Sequence, residues 1–338
     1  MYTPEQTQRD QYQNVWVIGE QKDGEIQAVT YELLGAARKL ADQRKTAVWC
    51  VLLGEKIANL APQLIARGAE TVVIVDDARL AHLCDAMQAV VLERLIKKHK
   101  PEIVLCGATA AGRSIIPRVA VQINAGLTAD CTGLTIDPDS GNLLQTRPAF
   151  GGNIMATIVS ANHRPQMATV RPRVMQEPAP DNNRTGRVIT EKLLPEEIIE
   201  GLRVLKVVPR DGETVALADA QFIITGGRGV QGQRGFELLK QFAHLVGGAV
   251  GASRAAVDAG WIDYAHQVGQ TGQTVQPRVY LSCGVSGQIQ HLVGMQSADM
   301  IIAINQDREA PIMKIADYAI VGDLFKIIPA IMNELRTS

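Results

Sequence analysis

Short apolar segments alternate with segments of helical periodicity along most of this chain, and this alternation restricts the fold more than any other feature. In the first half, uninterrupted apolar runs predict strands at residues 15–18, 48–53, 71–75 and 103–106. Apolar residues spaced at i, i+3 and i+4 predict helices at residues 31–41, 57–66, 85–98 and 114–123. Strands that are apolar on both faces and separated by helices indicate a parallel sheet covered on both sides.

A second series of the same kind begins at Ala220. It predicts strands at residues 222–225, 249–251, 279–283, 300–304 and 319–321, and helices at residues 235–246, 287–294 and 324–335. The first series is expected to end in a strand at residues 204–208. The sequence therefore predicts an α/β protein with two Rossmann-like parallel-sheet domains, at residues 1–208 and 209–338.

The pattern changes between the two series, after Leu127. Residues 154–160 and 166–170 are predicted as an antiparallel strand pair appended to the first sheet, with a turn between them. Residues 129–132 and 147–153 are expected to be loops that could face a partner. The Arg-rich segment 171–187 is expected to be an exposed connection.

Composition excludes several classes of protein. The chain has 34 basic and 35 acidic residues and a net charge of −1, without the basic excess of a nucleic-acid binder. Its five cysteines show no CxxC spacing, which argues against a zinc site or a disulfide framework and favours a reducing compartment. Because no apolar run is long enough for a membrane span or a signal peptide, we expect a cytoplasmic protein without membrane insertion.

The strongest local signal is a glycine cluster between a predicted strand and a predicted helix. Gly227, Gly229 and Gly232 satisfy the pattern G-x-G-x-x-G. Glycines in this setting allow a sharp turn and close approach to a pyrophosphate, which the helix N-terminus also attracts. An NAD site would have an acidic residue about 20 residues later. Here Arg254 follows the next strand, which points to another phosphate or another anionic ligand.

Polar residues also follow the remaining strands of the second series. Loops at residues 267–272 and 282–291 combine glycines with amide, hydroxyl and imidazole groups, and Asn305 and Asp323 follow the last two strands. No nucleophile–base pair, carboxylate pair or metal-ligand spacing accompanies them. The set is typical of a site that holds a nucleotide cofactor and tunes it. In the first series, residues 106–114 also join a strand to a helix through glycines, and there we favour a structural turn over an anion site.

The chain resembles the alpha subunit of electron-transfer flavoprotein. The matching motifs cover nearly the whole second domain in order, with one local match in the first domain. They are residues 226–229, 250–260, 267–272, 286–291, 303–307 and 317–325, and residues 112–118 in the first domain.

The resemblance implies an FAD held mainly by the second domain, in a heterodimer with a beta subunit. Three residues would tune the flavin: Arg254 beside the isoalloxazine, Thr271 near N5, and His291 facing the C2 carbonyl. Together they would favour the negatively charged, one-electron-reduced ring. The other implied contacts are Arg228, Ser253 and Ser286 at the ribityl–phosphate portion, Asn305 and Asp323 at the adenosine end, and Gln267, Val268, Gly269, Gln270, Gly287 and Gln290 in the same pocket.

Four functions remain open on these residues, two within the family and two outside it. Segments 126–134 and 146–153 look like the anaerobic and bacterial members, which favours a bifurcating type that oxidises NADH. A simple one-electron carrier, from dehydrogenases such as acyl-CoA dehydrogenase to a respiratory quinone oxidoreductase, is the alternative within the family. Outside it stand an NADP-dependent dehydrogenase, for which no proton-transfer residue emerges, and a nucleotide-sensing module without redox chemistry.

Overall fold

The structure is a computed structural model that describes residues 11–82, 84–149, 154–199 and 220–337, together with Val204 and Leu217. Its internal contacts divide the chain into two compact units, Met1–Lys206 and Val207–Ser338. Each unit has its own parallel sheet with helices against it. The predicted α/β class and the two Rossmann-like sheets are therefore confirmed.

Seven parallel strands form the main sheet of the first unit. In order across the sheet they are β12 (Arg187–Glu191), β5 (Thr71–Asp76), β4 (Val48–Gly54), β1 (Gln13–Ile18), β6 (Pro101–Gly107), β11 (Gln166–Val170) and β7 (Leu127–Cys131). A short hairpin, β2 (Gln21–Lys22) and β3 (Glu25–Ile26), follows β1. The helices are α1 (Ala28–Arg44), α2 (Ala61–Ala66), α3 (Asp85–His99) and α4 (Ala110–Gln122).

The alternation of side chains along β1 shows why this sheet needs helices on both faces. Val15 and Val17 pack into a core with residues of α1 and α2. Trp16 and Ile18 point the other way, into a core with residues of α3 and α4. Each face of the strand is therefore buried, as the continuous apolar run predicts.

The antiparallel element of the first unit does not have the strand pair that the sequence predicts. β10 (Ile154–Val159) pairs with β9 (Leu143–Ala149), which pairs in turn with β8 (Gly133–Ile136). The expected partner of β10 is instead β11, which lies parallel between β6 and β7 in the main sheet. All five residues of β11 are buried, as a central parallel strand requires. A nearby turn suggested a local hairpin, but burial on both faces favours the sheet centre.

Two segments that were expected to be loops contain strands. Residues 129–131 belong to β7, and residues 147–149 belong to β9, so both expectations are wrong in part. Residues 150–153 and 205–208 lie outside the described residues, so the rest of the second loop and most of the predicted strand at 204–208 stay predictions. The connection 171–187 is irregular until Arg187, which begins β12 at the sheet edge.

Packing explains the glycine turn after β6. The Thr109 hydroxyl oxygen accepts the Gly112 N–H at 3.0 Å and caps α4. A Cβ on Gly112 would overlap the Gly107 carbonyl oxygen. These contacts support the structural interpretation of this turn. The Glu20 carboxyl lies beside it and accepts the Thr109 hydroxyl at 2.9 Å.

Replacing Glu20 by Gln is expected to stabilise the protein above neutral pH. Burial raises the pKa of Glu20 to about 7, although the Thr109 hydrogen bond acts to lower it. The folded state therefore binds a proton that the unfolded state releases, so wild-type stability falls as pH rises from about 4.5 through about 7. Urea unfolding between pH 5 and 8 should show this slope in wild type but not in Glu20→Gln, with a difference on the order of 2 kcal/mol at pH 8.

The exposed Glu25, on the neighbouring hairpin, provides the control. Glu25→Gln should leave the pH dependence of unfolding unchanged. An equal slope in wild type and Glu20→Gln would show that Glu20 titrates alike in the folded and unfolded states.

Five parallel strands form the sheet of the second unit. In order across the sheet they are β14 (Ala249–Ala252), β13 (Phe222–Gly226), β15 (Val279–Cys283), β16 (Met300–Asn305) and β17 (Tyr318–Val321). The helices of this unit are α5 (Gln233–Leu245), α6 (Arg254–Asp258), α7 (Ile289–Leu292), α8 (Pro311–Ile315) and α9 (Leu324–Thr337). The helix predicted at 287–294 is thus reduced to the four residues of α7.

The two faces of this second sheet are covered differently. Ile224 and Leu281 pack against the long helices α5 and α9. Ile223 and Tyr280 face the other side, where the cover comes from Val268, Met295 and the short helix α8. On that side, the loops that follow the strands form part of the core, so their conformation depends on packing. Within the described part of the chain, no helix is long and apolar enough to cross a membrane.

Candidate functional site

The candidate site lies at the carboxyl edge of the second sheet. Because its five strands are parallel, their carboxyl ends lie along one edge, where open α/β sheets bind ligands. Backbone hydrogen bonds join the loops there. The Ser253 N–H donates to the Gly226 carbonyl at 2.9 Å, and the Gly322 N–H donates to the Asn305 carbonyl at 3.0 Å. Residues far apart in the sequence are therefore neighbours in the fold.

The glycine cluster after β13 packs against the loop after β15. The Gly227 N–H donates to the Cys283 carbonyl, and the Gly229 N–H donates to the Gly284 carbonyl, both at 3.0 Å. A Cβ on Gly227 would lie 2.6 Å from Val285 Cα, and a Cβ on Gly229 would lie 2.7 Å from Gly284 Cα. These two glycines are therefore required for contact between loops, a role that the G-x-G-x-x-G pattern did not indicate. Open space surrounds Gly232.

The loop between β15 and α7 presents unpaired backbone donors. Gly284 and Gly287 adopt the left-handed conformation, with φ of 60° and 81°. Among the described residues, no protein acceptor takes the backbone N–H groups of Ser286, Gly287 or Gln288. Successive free N–H groups next to left-handed residues form a concave anion site. The loop is held in place by the Ile312 N–H, which donates to the Ser286 carbonyl at 3.2 Å.

Arg254 and Arg228 are two of the cations among these loops. Arg254 begins α6, and 70% of its side chain is exposed. Its Nε lies 3.3 Å from an Asp258 carboxylate oxygen one helical turn away. An exposed pair of this kind contributes little and is easily exchanged for another anion. Arg228, in the glycine cluster, is also exposed. Both guanidinium groups are therefore available to a negatively charged ligand.

The loop at residues 267–272 is tied to two other elements. The Val268 N–H donates to the Ala252 carbonyl of β14 at 2.9 Å, and the Gln270 N–H donates to the Gln290 carbonyl of α7 at 2.7 Å. The buried Gln267 donates its Nε2 to the Thr271 hydroxyl oxygen at 3.0 Å. Because this oxygen already accepts a hydrogen bond, the exposed Thr271 hydroxyl has its own proton free to donate to a ligand.

Another residue of this loop, Gly269, is required by close packing. Its φ is 143°, and a Cβ there would lie 2.8 Å from the Gln290 carbonyl oxygen. Gly269 therefore holds the loop against α7.

His291 is the one imidazole that the sequence analysis placed in the site. It is 7% exposed, and its Nε2 lies 2.9 Å from the hydroxyl of Tyr280. Burial lowers the pKa of His291 to about 4, and the Val268 backbone carbonyl acts in the opposite direction. The ring is therefore neutral at pH 7. Its Nδ1 is buried without a hydrogen bond of regular geometry.

Asn305 and Asp323 hold the ends of the last two loops. Asn305 Nδ2 donates to the Val285 carbonyl at 2.8 Å, and its Oδ1 accepts the Asp307 N–H at 3.0 Å. Asp323 Oδ1 accepts the Phe325 N–H at 2.9 Å, at the start of α9. Asp323 therefore caps α9, whereas Asn305 closes a turn in its own loop, and both lie at the carboxyl edge of the sheet.

Tyr280 is the residue that sequence reasoning missed. It lies within an apolar strand, where a tyrosine is easily taken as ordinary core. Its ring is fully buried, and a buried phenol needs a hydrogen-bond partner. The strand's alternation could have shown that Tyr280 and Ser282 share one face, but not that His291 lies opposite.

Comparison with known proteins identifies relatives along nearly the whole chain. A family model described as "Electron transfer flavoprotein domain" matches residues 15–195, and one described as "Electron transfer flavoprotein FAD-binding domain" matches residues 216–296. The electron transfer flavoprotein subunit alpha of Thermoanaerobacterium thermosaccharolyticum is 48% identical over 96% of this chain and 98% of its own. That of Megasphaera elsdenii is 46% identical over 96% and 97%. The acryloyl-CoA reductase electron transfer subunit beta of Anaerotignum propionicum is 39% identical over 96% of each chain.

Proposed function

Since the chain belongs to the electron transfer flavoprotein family, as an alpha subunit that binds FAD and serves electron transfer, we propose that its FAD lies at the carboxyl edge of the second sheet. This placement rests on the convergence there of hydrogen-bond donors that are open to a ligand. They comprise the free N–H groups of residues 286–288, the exposed guanidinium of Arg254, and the free Thr271 hydroxyl.

The donor set fits the chemistry of FAD from one end to the other. The pyrophosphate carries negative charge, and the concave N–H site at residues 286–288 with the nearby Arg228 offers donors and a cation for it. The isoalloxazine carries acceptors at N5 and at its C2 carbonyl. Thr271 has a hydroxyl proton to donate, and His291 has a buried Nδ1 that lacks a regular partner. Asn305 and Asp323 are proposed to contact the adenosine end of the cofactor.

Three side chains are proposed to tune the bound flavin, which supplies the electron-carrying ring. Arg254 places a positive charge where negative charge develops on reduction. Thr271 and His291 donate hydrogen bonds that strengthen as the ring oxygen and nitrogen atoms gain electron density. Because the His291 ring is neutral, its contribution is a dipole, and Arg254 provides the full charge.

We propose that this subunit works in a heterodimer with a beta subunit, and that β10 is part of the contact surface. β10 is an edge strand whose apolar side chains are exposed: Ile154 by 54%, Met155 by 55%, Ile158 by 38% and Val159 by 42%. An apolar edge strand left uncovered would promote aggregation. A partner subunit that covers β10 would prevent this aggregation.

We further propose that the heterodimer takes electrons from NADH and divides them by flavin-based bifurcation, in the cytoplasm. Support comes from the resemblance of residues 126–134 and 146–153 to anaerobic members, and from the relative named as an electron transfer subunit of an acryloyl-CoA reductase. The alternative is a simple carrier between dehydrogenases, such as acyl-CoA dehydrogenase, and a respiratory quinone oxidoreductase. It uses the same FAD site in this subunit.

A stepwise NADH titration of the co-purified heterodimer tests these proposals together. We expect two FAD per complex, counted after extraction, and bleaching of the flavin absorbance by NADH. One FAD that NADH does not reduce would favour the simple carrier. A complex that purifies without FAD would contradict the proposed site, and failure of the subunits to co-purify would contradict the heterodimer.

A further inference from the structure

Tyr280 connects the centre of the second sheet to the short helix that carries His291. It lies on β15, between β13 and β16, and is fully buried. Strand alternation places it on the same face as Ser282, opposite the face of Leu281 that packs against α5 and α9. Its hydroxyl lies 2.9 Å from His291 Nε2, with the two ring centroids 6.2 Å apart.

The helix that carries His291 needs such an anchor. α7 has only four residues, too few to be stable by its own hydrogen bonds. Its neighbours fix the backbone, since the Gln270 N–H donates to the Gln290 carbonyl and the Val275 N–H donates to the Gly294 carbonyl. These backbone contacts do not set the orientation or the protonation of the His291 imidazole. Both depend on what its two nitrogen atoms contact.

The direction of the Tyr280–His291 hydrogen bond follows from the state of both groups. Burial raises the pKa of Tyr280, so the phenol keeps its proton and can donate it. The His291 ring is neutral, so one nitrogen carries a proton and the other accepts. The Val268 backbone carbonyl raises the His291 pKa, as an acceptor beside a ring N–H does. With Nε2 occupied by Tyr280, the proton belongs on Nδ1.

We propose that Tyr280 is a positioning residue for the flavin, whose hydroxyl donates to His291 Nε2 and holds the imidazole as the neutral tautomer with its proton on Nδ1. Because this N–H makes no hydrogen bond of regular geometry within the described protein, it is then a fixed donor toward the flavin. The proposal rests on the FAD placement given above. Tyr280 itself acts only through His291.

The tautomer of His291 can be measured without any variant of Tyr280. In the FAD-loaded heterodimer with 15N-labelled histidine, the His291 signals are assigned by their loss in His291→Gln. We expect a protonated Nδ1 and an unprotonated, hydrogen-bonded Nε2. A proton on Nε2 in the wild type would overturn the proposal, whatever the fate of the Tyr280 variants.

A double-mutant cycle shows whether Tyr280 acts through His291. Tyr280→Phe removes the hydroxyl and keeps the ring, and we expect a mixture of His291 tautomers. We also expect a loss of about three- to tenfold in the preference for reduced over oxidised FAD, the usual worth of one hydrogen bond. In the His291→Gln background, Tyr280→Phe should change this preference no further.

Tyr318→Phe is the matched control, because Tyr318 lies on β17 of the same sheet and is 60% exposed. It should change neither the tautomer nor the preference for reduced FAD. If Tyr280→Phe changes the preference for reduced FAD equally in the presence and absence of His291, Tyr280 acts by packing and not through His291. A wild-type complex that lacks FAD would instead contradict the proposed site, so the two failures are distinct.

Discussion

The Gly227→Ala heterodimer is expected to purify with little or no FAD. The added methyl group would lie 2.6 Å from Val285 Cα and closer still to the Gly284 carbonyl oxygen, so two backbone segments must separate. These segments are the glycine cluster and the loop with the free N–H groups, both of which are proposed to hold the pyrophosphate. Overpacking costs about 1–3 kcal/mol, and the upper end of that range is expected here because no side chain can rotate away from the added methyl group. FAD absorbance per complex and thermal unfolding measure the two effects.

Gly260→Ala separates this overlap from ordinary backbone strain. Gly260 has a φ of 71°, and a Cβ there would have nothing within 4 Å of it. Alanine at this position costs about 1 kcal/mol for the left-handed conformation alone. We expect full FAD content and a small fall in unfolding temperature. If Gly227→Ala retains FAD as well as Gly260→Ala does, the two loops do not hold the cofactor.

The Arg254→Ala heterodimer is expected to bind FAD but to hold the reduced ring less well. Arg254 is an exposed cation that is proposed to lie beside the isoalloxazine ring. Its ion pair with Asp258 is exposed and therefore weak. Removing the Arg254 side chain should lower the one-electron midpoint potential of FAD by about 60 mV, which corresponds to a tenfold loss of preference for the reduced form. Arg254→Lys should recover part of the shift, because it keeps the charge without the fork of donors.

Arg278→Ala controls for the change in net charge. Arg278 is exposed and precedes β15, at the opposite edge of the same sheet. A five-residue strand separates the two edges by about 17 Å, beyond the Debye length at physiological salt. The potential should stay at the wild-type value. Equal shifts in both variants would assign the effect to overall charge, and no shift in Arg254→Ala would remove the role proposed for Arg254.

Sequence periodicity was reliable for buried elements and unreliable for connections. The strand at residues 279–283 is observed as Val279–Cys283, and the first strand of that unit differs from its prediction only by Gly226. By contrast, β11 was assigned to the wrong sheet. A run of apolar residues shows that a strand is buried, but its neighbours are set by packing against segments elsewhere in the chain.

The candidate site shows the same division. The sequence identified the loops that meet at the carboxyl edge, because parallel strands place their ends together wherever the sheet forms. It did not show that Gly227 packs against the loop after β15, since that contact joins residues more than 50 positions apart. Nor did it single out Tyr280.

The sequence by itself determined the two parallel sheets, the strand ends that carry polar residues, and the family resemblance. These depend on local periodicity and on motifs that are read along the chain. Only the tertiary structure decided the order of the strands, the close contact at Gly227, the pairing of Tyr280 with His291 and the burial of Glu20. Each depends on which side chains and backbone segments meet in space, and packing and desolvation settle that only after the chain has folded.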